Sequence, residues 1–176
     1  MKIKVCGMKN PDNIRQVAEL PIQYMGFIFY KKSPRYVGTS FPVDLTFPES
    51  LRRVGVFVNA SEEEILEKVK QFGLTSVQLH GSETPELALS LKQKQLEVFK
   101  VFSIAEKSDF QKTALYEDCC DYFLFDTKTP LHGGSGKSFD WSVQGKPPFL
   151  PERRNWPRRR GAVVAIQTSP MGGYRP

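Results

Sequence analysis

Short apolar runs alternate along the chain with longer amphipathic segments. The runs are of strand length and rich in Val, Ile, Phe and Tyr, whereas the segments between them repeat apolar residues at helical spacing. The predicted strands cover residues 3–6, 24–29, 54–58, 76–79, 98–102 and 122–125, and the predicted helices cover residues 12–20, 61–72, 84–94 and 107–119. This alternation is typical of parallel βαβ units, so we expect an α/β domain.

Local sequence signals indicate how regular the helices after the third and the second strand are. Ser61 and Glu64 have the spacing of a capping box, with apolar residues recurring at helical spacing behind them. Between residues 37 and 52, by contrast, Pro42 and Pro48 leave no long uninterrupted helical stretch. We therefore expect a well-defined helix after the third strand and a short, irregular or absent helix after the second.

The pattern changes towards the end of the chain. Residues 147–176 contain six prolines, a basic cluster and no periodicity beyond a brief apolar run at 162–166. Residues 1–144 hold 18 Lys and Arg against 18 Asp and Glu, whereas residues 145–176 hold seven basic residues against Glu152 alone. The net charge of +6 therefore belongs to the tail. We expect an α/β domain over residues 1–144 and a separate basic, Pro/Arg-rich tail that does not continue the pattern.

The composition of the chain indicates which class of protein it belongs to. With 176 residues, 40% of them hydrophobic and 25% charged, the chain fits one globular domain, and no apolar run approaches the roughly 18 residues of a membrane span. The start of the chain is strand-like and does not resemble a signal peptide. Cys6, Cys119 and Cys120 make no disulfide framework, and no Cys or His spacing resembles a zinc site. We expect reduced thiols, a cytoplasmic location, no membrane partner and no metal or other cofactor.

Several polar residues fall at the ends of predicted strands. Cys6 follows the first strand, Gln78 and His80 close the fourth, and Asp126 follows the sixth. Arg35 lies in the loop after the second strand. In a barrel of parallel strands the carboxyl ends converge on one mouth, so these residues predict a single pocket for a small ligand.

The same residues also have plain structural interpretations. A lone Cys at a strand end is more often a small buried hydrophobe. An Asp followed by Thr, as at Asp126, is equally typical of a turn. The GGSG sequence with Gly133, Gly134 and Gly136 is more typical of a flexible loop than of a phosphate cradle. The individual residues therefore leave catalytic and structural interpretations open.

Five motifs taken together are more specific. KVCGMK, GFIFYKKSPRYV, RVGVFVN, VQLHG and LFDTKTPLHGGSGKSFDW follow one another in the chain. In this order they resemble the phosphoribosylanthranilate isomerases of tryptophan biosynthesis, over about residues 1–142. The resemblance implies a (β/α)8 TIM barrel and an Amadori rearrangement of N-(5-phosphoribosyl)anthranilate to 1-(2-carboxyphenylamino)-1-deoxyribulose 5-phosphate. The implied partner is a small phosphosugar substrate.

The resemblance also implies roles for individual residues. Cys6 matches the base of the family and Asp126 its acid, while Arg35 matches the arginine that faces the anthranilate carboxylate. A free thiol is a base only as thiolate, and a free carboxylic acid is largely ionised at neutral pH, so such a site must favour opposite protonation states for the two groups. The implied substrate-binding residues are Arg35, Gln78, His80, Gly133 and Gly134.

The family pattern stops near the start of the tail. About six βα units are recognisable, whereas strands 7 and 8 and the Ser-Gly-Gly loop between them are missing. Codons for residues 148–160 can be chosen so that the frame one base forward reads Pro-Phe-Phe-Leu-Ser-Gly-Gly-Ile-Gly-Pro-Glu-Asp, which is the missing loop. We hypothesise a frameshift near residues 143–148. It leaves the first and sixth strands as open edges and impairs substrate binding and activity.

Two other functions stay open at this level. The tail arginines and Trp156 are typical of a basic, aromatic arm that binds nucleic acid, which would make this a non-catalytic chain. These arginines are Arg153, Arg154, Arg158, Arg159 and Arg160. Another phosphosugar barrel enzyme, such as a neighbouring lyase of the same pathway, is the second alternative, and the motifs around Cys6 and Asp126 disfavour it. The sequence does not predict the oligomeric state.

Overall fold

The strands and helices form in the predicted order. The computed structural model describes residues 2–39, 45–127 and 163–167. Its strands are β1 (Lys2–Cys6), β2 (Tyr24–Ile28), β3 (Arg52–Phe57), β4 (Ser76–Leu79), β5 (Glu97–Ile104), β6 (Tyr122–Thr127) and β7 (Val163–Gln167). Its α-helices are α1 (Pro11–Ala18), α2 (Glu62–Phe72) and α3 (Pro85–Gln93), and a 3-10 helix spans Lys107–Tyr116.

The seven strands of the described residues belong to one parallel sheet. Their order is β6-β5-β4-β3-β2-β1-β7, so neighbours in the chain are neighbours in the sheet from β1 to β6. The sheet curls, and Cα atoms of β6 and β7, at its two ends, approach within 8 Å of each other. A parallel sheet with helical crossovers is what the alternating pattern predicted, and its curl agrees with the barrel that the family resemblance implied.

Strand β7 was not predicted. It pairs with β1 over the whole length of both strands, from Val163 beside Lys2 to Gln167 beside Cys6. The expectation of an open edge at the first strand is therefore wrong, because an apolar, partly β-branched segment of the tail covers the backbone groups of β1. On the far side of the sheet, β6 has no further strand neighbour among the residues that the structure describes.

Side-chain hydrogen bonds form at the predicted start of helix α2. The Ser61 hydroxyl accepts the Glu64 N–H at 3.2 Å, and the Glu64 carboxylate accepts the Ser61 N–H at 3.0 Å, so the capping box at the start of α2 is confirmed. Helix α2 ends at Phe72 and is capped by Gly73, which has a left-handed φ of 57°. The described parts of the connection from β2 to β3, residues 29–39 and 45–51, contain no helix, as the prolines predicted.

The fourth predicted helix differs in kind and length. Residues 107–119 were expected to form an amphipathic α-helix, whereas the structure has a 3-10 helix that ends at Tyr116. The Asp109 carboxylate fixes its start by accepting the N–H groups of Ala105 at 3.0 Å and Glu106 at 3.3 Å. Chiefly the Ala105 hydrogen bond lowers the pKa of Asp109.

The core lies on both faces of the sheet. The larger cluster packs one face, including Val5 and Phe27, against helix residues such as Ile65. The other face carries a smaller aromatic cluster that includes Tyr24 and Phe99, whose rings meet edge to face at 5.2 Å. Because strand side chains alternate between faces, Lys4 and Cys6 lie opposite to Val5, on the concave side. No helix in the described ranges is long and apolar enough to cross a membrane.

Candidate active site at the carboxyl edge of the sheet

The structure places the predicted site residues along one edge of the sheet. Cys6 is the last residue of β1, Gln78 lies near the end of β4 with His80 just beyond it, and Asp126 lies near the end of β6. Arg35 lies in the loop after β2. Since all strands run in the same direction, their carboxyl ends form a single rim, where parallel α/β folds hold their ligands.

Cys6 is buried in an apolar environment. Its side chain belongs to a cluster with Ile28 and Val56, against which Tyr30 packs. Opposite Cys6 in the register lies Gly26, and a Cβ added there would come within 2.7 Å of the Cys6 sulfur. The absence of a side chain at Gly26 therefore leaves the space that the thiol occupies.

His80 and Asp126 come together across the rim. The distance from His80 Nε2 to Asp126 Oδ2 is 3.6 Å, and His80 Nδ1 lies 3.3 Å from the Gln78 side-chain nitrogen. A Gln78 amide N–H that donates to Nδ1 corresponds to the imidazole tautomer that carries its proton on Nε2, the atom that faces the carboxylate. The Gln78 side-chain oxygen is buried and has no hydrogen-bond partner among the described residues. A buried acceptor of this kind suits a ligand hydroxyl or N–H.

Arg35 crosses over the turn that follows Cys6. Gly7 has a φ of +87°, and a Cβ at this position would lie 2.8 Å from both Cδ and Nη1 of Arg35. The Gly7 N–H donates to the carbonyl of Gly26 at 2.9 Å, which holds the turn against β2. The glycine thus allows both the left-handed backbone and the close approach of the guanidinium to the end of β1.

Three buried charged residues belong to this region although the sequence did not single them out. Lys4 is fully buried two residues before Cys6, and Glu83 pairs with Lys100 at 2.8 Å behind the loop that carries His80. For Lys4 a signal existed, since a lysine between Ile3 and Val5 in a strand points away from their apolar face. For the pair there was none, because Glu83 and Lys100 meet only through the packing of β4 and β5.

The remaining predicted features stand apart from the rim or outside the described residues. Gly133 and Gly134 lie outside the described residues, as do Gly136 and the tail arginines. Burial raises the pKa of Cys119 and raises that of Cys120 to about 12, so neither thiol is a thiolate at neutral pH. Within residues 2–39, 45–127 and 163–167 no three His, Cys, Asp or Glu side chains are grouped as for a metal ion.

Comparison with known proteins decides the family. The family model for N-(5'phosphoribosyl)anthranilate (PRA) isomerase matches residues 3–147. The chain belongs to the PRA isomerase family. Its reaction is an Amadori isomerisation in tryptophan biosynthesis, which confirms the activity that the five motifs predicted. Residues 148–176 lie beyond the match with the family model.

Curated relatives and solved structures of PRA isomerases are similar over most of the chain. The N-(5'-phosphoribosyl)anthranilate isomerase of Phocaeicola vulgatus is 53% identical over 154 residues, covering 85% of this chain and 74% of the relative. That of Parabacteroides distasonis is 49% identical over 158 residues, covering 85% and 71%. The crystal structure of the Thermotoga maritima enzyme has a TM-score of 0.72 at 35% identity, covering 94% of this chain and 76% of the other.

One further PRA isomerase structure was solved with a ligand. It is a complex with reduced 1-(o-carboxyphenylamino)-1-deoxyribulose 5-phosphate, with a TM-score of 0.68 at 29% identity. The match covers 95% of this chain and 75% of that protein. The barrel-type fold that the resemblance implied is confirmed by these structures.

Proposed function

We propose that this chain isomerises N-(5'-phosphoribosyl)anthranilate with Cys6 as general base and Asp126 as general acid. The observation that carries the proposal is that Cys6 at the end of β1 and Asp126 near the end of β6 lie on the same rim of a PRA isomerase fold. Cys6 has an apolar setting, and Asp126 faces His80 at 3.6 Å. A thiol and a carboxylic acid in different environments suit opposite roles.

Each role corresponds to one bond change. Asp126 as a neutral acid gives its proton to the ring oxygen of the ribose, and the bond from this oxygen to C1 breaks, so that the anthranilate nitrogen becomes an iminium. The Cys6 thiolate then takes the proton from C2, and the C–H electron pair forms the enolamine and neutralises the nitrogen. Tautomerisation gives the ketose. Asp126 ends as carboxylate and Cys6 as thiol, so release of the proton from Cys6 to solvent and uptake of one proton by Asp126 restore both groups.

The substrate is held by groups that the rim already presents. We assign Arg35 to the anthranilate carboxylate, because a guanidinium donates two parallel hydrogen bonds to this group. Gln78 and His80 face the sugar, and the buried Gln78 oxygen accepts a hydrogen bond from it. The ligand bound to the related PRA isomerase carries the same carboxyphenylamino and phosphate groups, which supports this assignment. Gly133 and Gly134 as neighbours of the substrate stay a prediction.

The test is conversion of N-(5'-phosphoribosyl)anthranilate by purified variants. Cys6→Ser and Asp126→Asn should each lower turnover by about 10²- to 10⁴-fold, since each removes one proton-transfer group. Cys119→Ser makes the same chemical change at a thiol outside the rim and should leave turnover unchanged. Near-normal turnover in Cys6→Ser or Asp126→Asn would overturn the assignment of that residue.

We also propose that a frameshift near residues 143–148 produced residues 145–176, so that their sequence does not continue the partial barrel of residues 1–144 although Val163–Gln167 adds strand β7 to its sheet. The match to the family model ends at residue 147, next to this position. The nucleotide sequence tests the proposal: the neighbouring frame should encode the Ser-Gly-Gly loop, and codons that do not encode it would contradict the frameshift. Weak turnover by the 176-residue chain, restored when the frame is corrected, is the expected functional result.

We propose further that the protein is located in the cytoplasm. The three cysteines, Cys6, Cys119 and Cys120, form no disulfide. Free thiols are typical of a reducing compartment, and the relatives are biosynthetic enzymes. These observations support a cytoplasmic location, and fractionation of cells that express the chain tests it.

A further inference from the structure

Lys4 is a buried charged residue to which the proposed reaction assigns no task. It lies in the middle of β1 and is fully buried on the concave side of the sheet. Placing a lysine there is costly unless its charge interacts with another polar or charged group. Its neighbours Ile3 and Val5 point to the opposite face, towards the helices. The position of Lys4 therefore calls for an explanation inside the barrel.

Gly26 shows how close Lys4 comes to Cys6. A Cβ added to Gly26 would lie 2.9 Å from the Lys4 nitrogen and 2.7 Å from the Cys6 sulfur. Because both atoms lie near the same point, they are no more than about 5.6 Å apart. This is within the range at which an opposite charge favours the ionised form of a neighbour.

We propose that Lys4 is a positioning residue whose ammonium group stabilises the thiolate of Cys6. The proposal rests on the role of Cys6 as the base. The apolar contacts of Cys6 with Ile28 and Val56 disfavour a thiolate, and a nearby ammonium opposes this effect. Lys4 takes no part in the proton transfer, in which Cys6 accepts the proton from C2 of the substrate.

Other ionisable groups near Cys6 approach from different elements. Arg35 lies over Gly7 on the rim side, and Tyr30 packs against the apolar cluster of Cys6. His80 and Asp126 lie on the same rim, at the ends of β4 and β6. The facing residues of β2 and β3 are apolar, and the sequence of β7, Val-Val-Ala-Ile-Gln, contains no ionisable residue. Lys4 therefore contributes its charge from below the thiol, independently of Arg35 above it.

Alkylation of Cys6 by iodoacetamide as a function of pH tests the proposal. The reagent is small and uncharged, it reacts with the thiolate, and peptide mass spectrometry separates Cys6 from Cys119 and Cys120. Lys4→Met should raise the pH midpoint of Cys6 alkylation by about one unit or more, which slows the reaction at neutral pH about tenfold. Lys4→Arg keeps the charge and should keep the midpoint near that of the wild type.

Lys2→Met is the matched control. It makes the same substitution on the same face of β1, where the Lys2 ammonium donates to the Tyr122 hydroxyl at 2.6 Å. Lys2 lies four residues from Cys6, about 13 Å along the strand, so the Cys6 midpoint should stay unchanged. A variant that merely loosens the packing changes the rate at every pH and leaves the midpoint in place. Alkylation of buried Cys119 in the same samples reports whether each variant is folded.

The outcomes separate this proposal from the catalytic one. An unchanged midpoint in folded Lys4→Met, or an equal shift in Lys2→Met, overturns the role of Lys4. If Lys4→Met does not fold, Lys4→Gln provides a second neutral variant with the same expectation. Normal turnover in Cys6→Ser would instead show that Cys6 is not the base. Lys4→Met would still shift the pH midpoint of Cys6 alkylation in that case.

Discussion

The Glu83 carboxylate and the Lys100 ammonium form a buried ion pair behind the rim, at a distance of 2.8 Å. Lys100 also donates to the Gly81 carbonyl at 2.7 Å, and Glu83 accepts the N–H groups of Asn59 at 2.8 Å and Gly81 at 2.9 Å. The pair therefore joins the loops after β3 and β4 to strand β5. Because His80 immediately precedes Gly81, the same contacts fix the loop that faces Asp126.

Removing one member of this pair should be strongly destabilising. Lys100→Met leaves the Glu83 carboxylate buried without its cation, and we expect a loss of about 3–5 kcal/mol in the free energy of unfolding. Urea denaturation measures it. Lys112→Met is the control, because Lys112 is largely exposed in its pair with Asp109 and should cost at most about 1 kcal/mol. Equal losses in the two variants would contradict a structural role for the buried pair.

The start of the 3-10 helix gives a pH-dependent prediction. Backbone hydrogen bonds, chiefly from Ala105, lower the pKa of Asp109 in the folded state. The carboxylate therefore stabilises the fold above the pKa of an unfolded Asp, near 3.9, and this contribution disappears as the pH falls through the lower folded value. Asp109→Asn should be less stable than the wild type at pH 7, and the two should converge below about pH 4. A difference in unfolding free energy that is independent of pH would contradict this account.

The close approach at Gly26 predicts a selective loss of activity. A Cβ in Gly26→Ala would lie 2.7 Å from the Cys6 sulfur and 3.2 Å from the Cys6 Cα, and the backbone atom cannot move as a side chain does. We expect turnover to fall at least tenfold, measured with thermal stability in parallel. Gly55→Ala is the control, since its Cβ would meet Leu74 and Phe57 instead. It should cost about 1–3 kcal/mol of stability by overpacking, with the turnover of the folded fraction retained.

The features that were predicted from the sequence depend on residues close together in the chain or on family motifs. The Ser61 and Glu64 pair marked a helix start because capping is a contact between residues three apart. Cys6, His80 and Asp126 were found because strand ends and family motifs are both visible in the chain, and in parallel strands these ends share a rim. The sequence predicted only that His80 and Asp126 lie at the same rim. Their contact was not predicted, because the 3.6 Å distance from His80 Nε2 to Asp126 Oδ2 depends on the curl of the sheet.

Features that depend on distant pairing were missed. Val163–Gln167 joins β1 from the opposite end of the chain, and a five-residue apolar run carries no information about its partner strand. The ion pair between Glu83 and Lys100 was missed for the same reason. Charged residues are mostly solvent-exposed, and nothing in the sequence links two that lie 17 positions apart. Lys4 was missed as well, although its alternation with Ile3 and Val5 is readable in the sequence.

Release of hydrogen from C2 of the substrate is the most direct test of the proposed site. N-(5'-phosphoribosyl)anthranilate deuterated at C2 should lose its deuterium to solvent as the wild-type chain converts it, because the Cys6 thiolate takes this atom. Cys6→Ser should slow deuterium release by at least about 10²-fold, while Cys119→Ser should release it at the wild-type rate. Release by folded Cys6→Ser at the wild-type rate would show that another group is the base and would contradict the account.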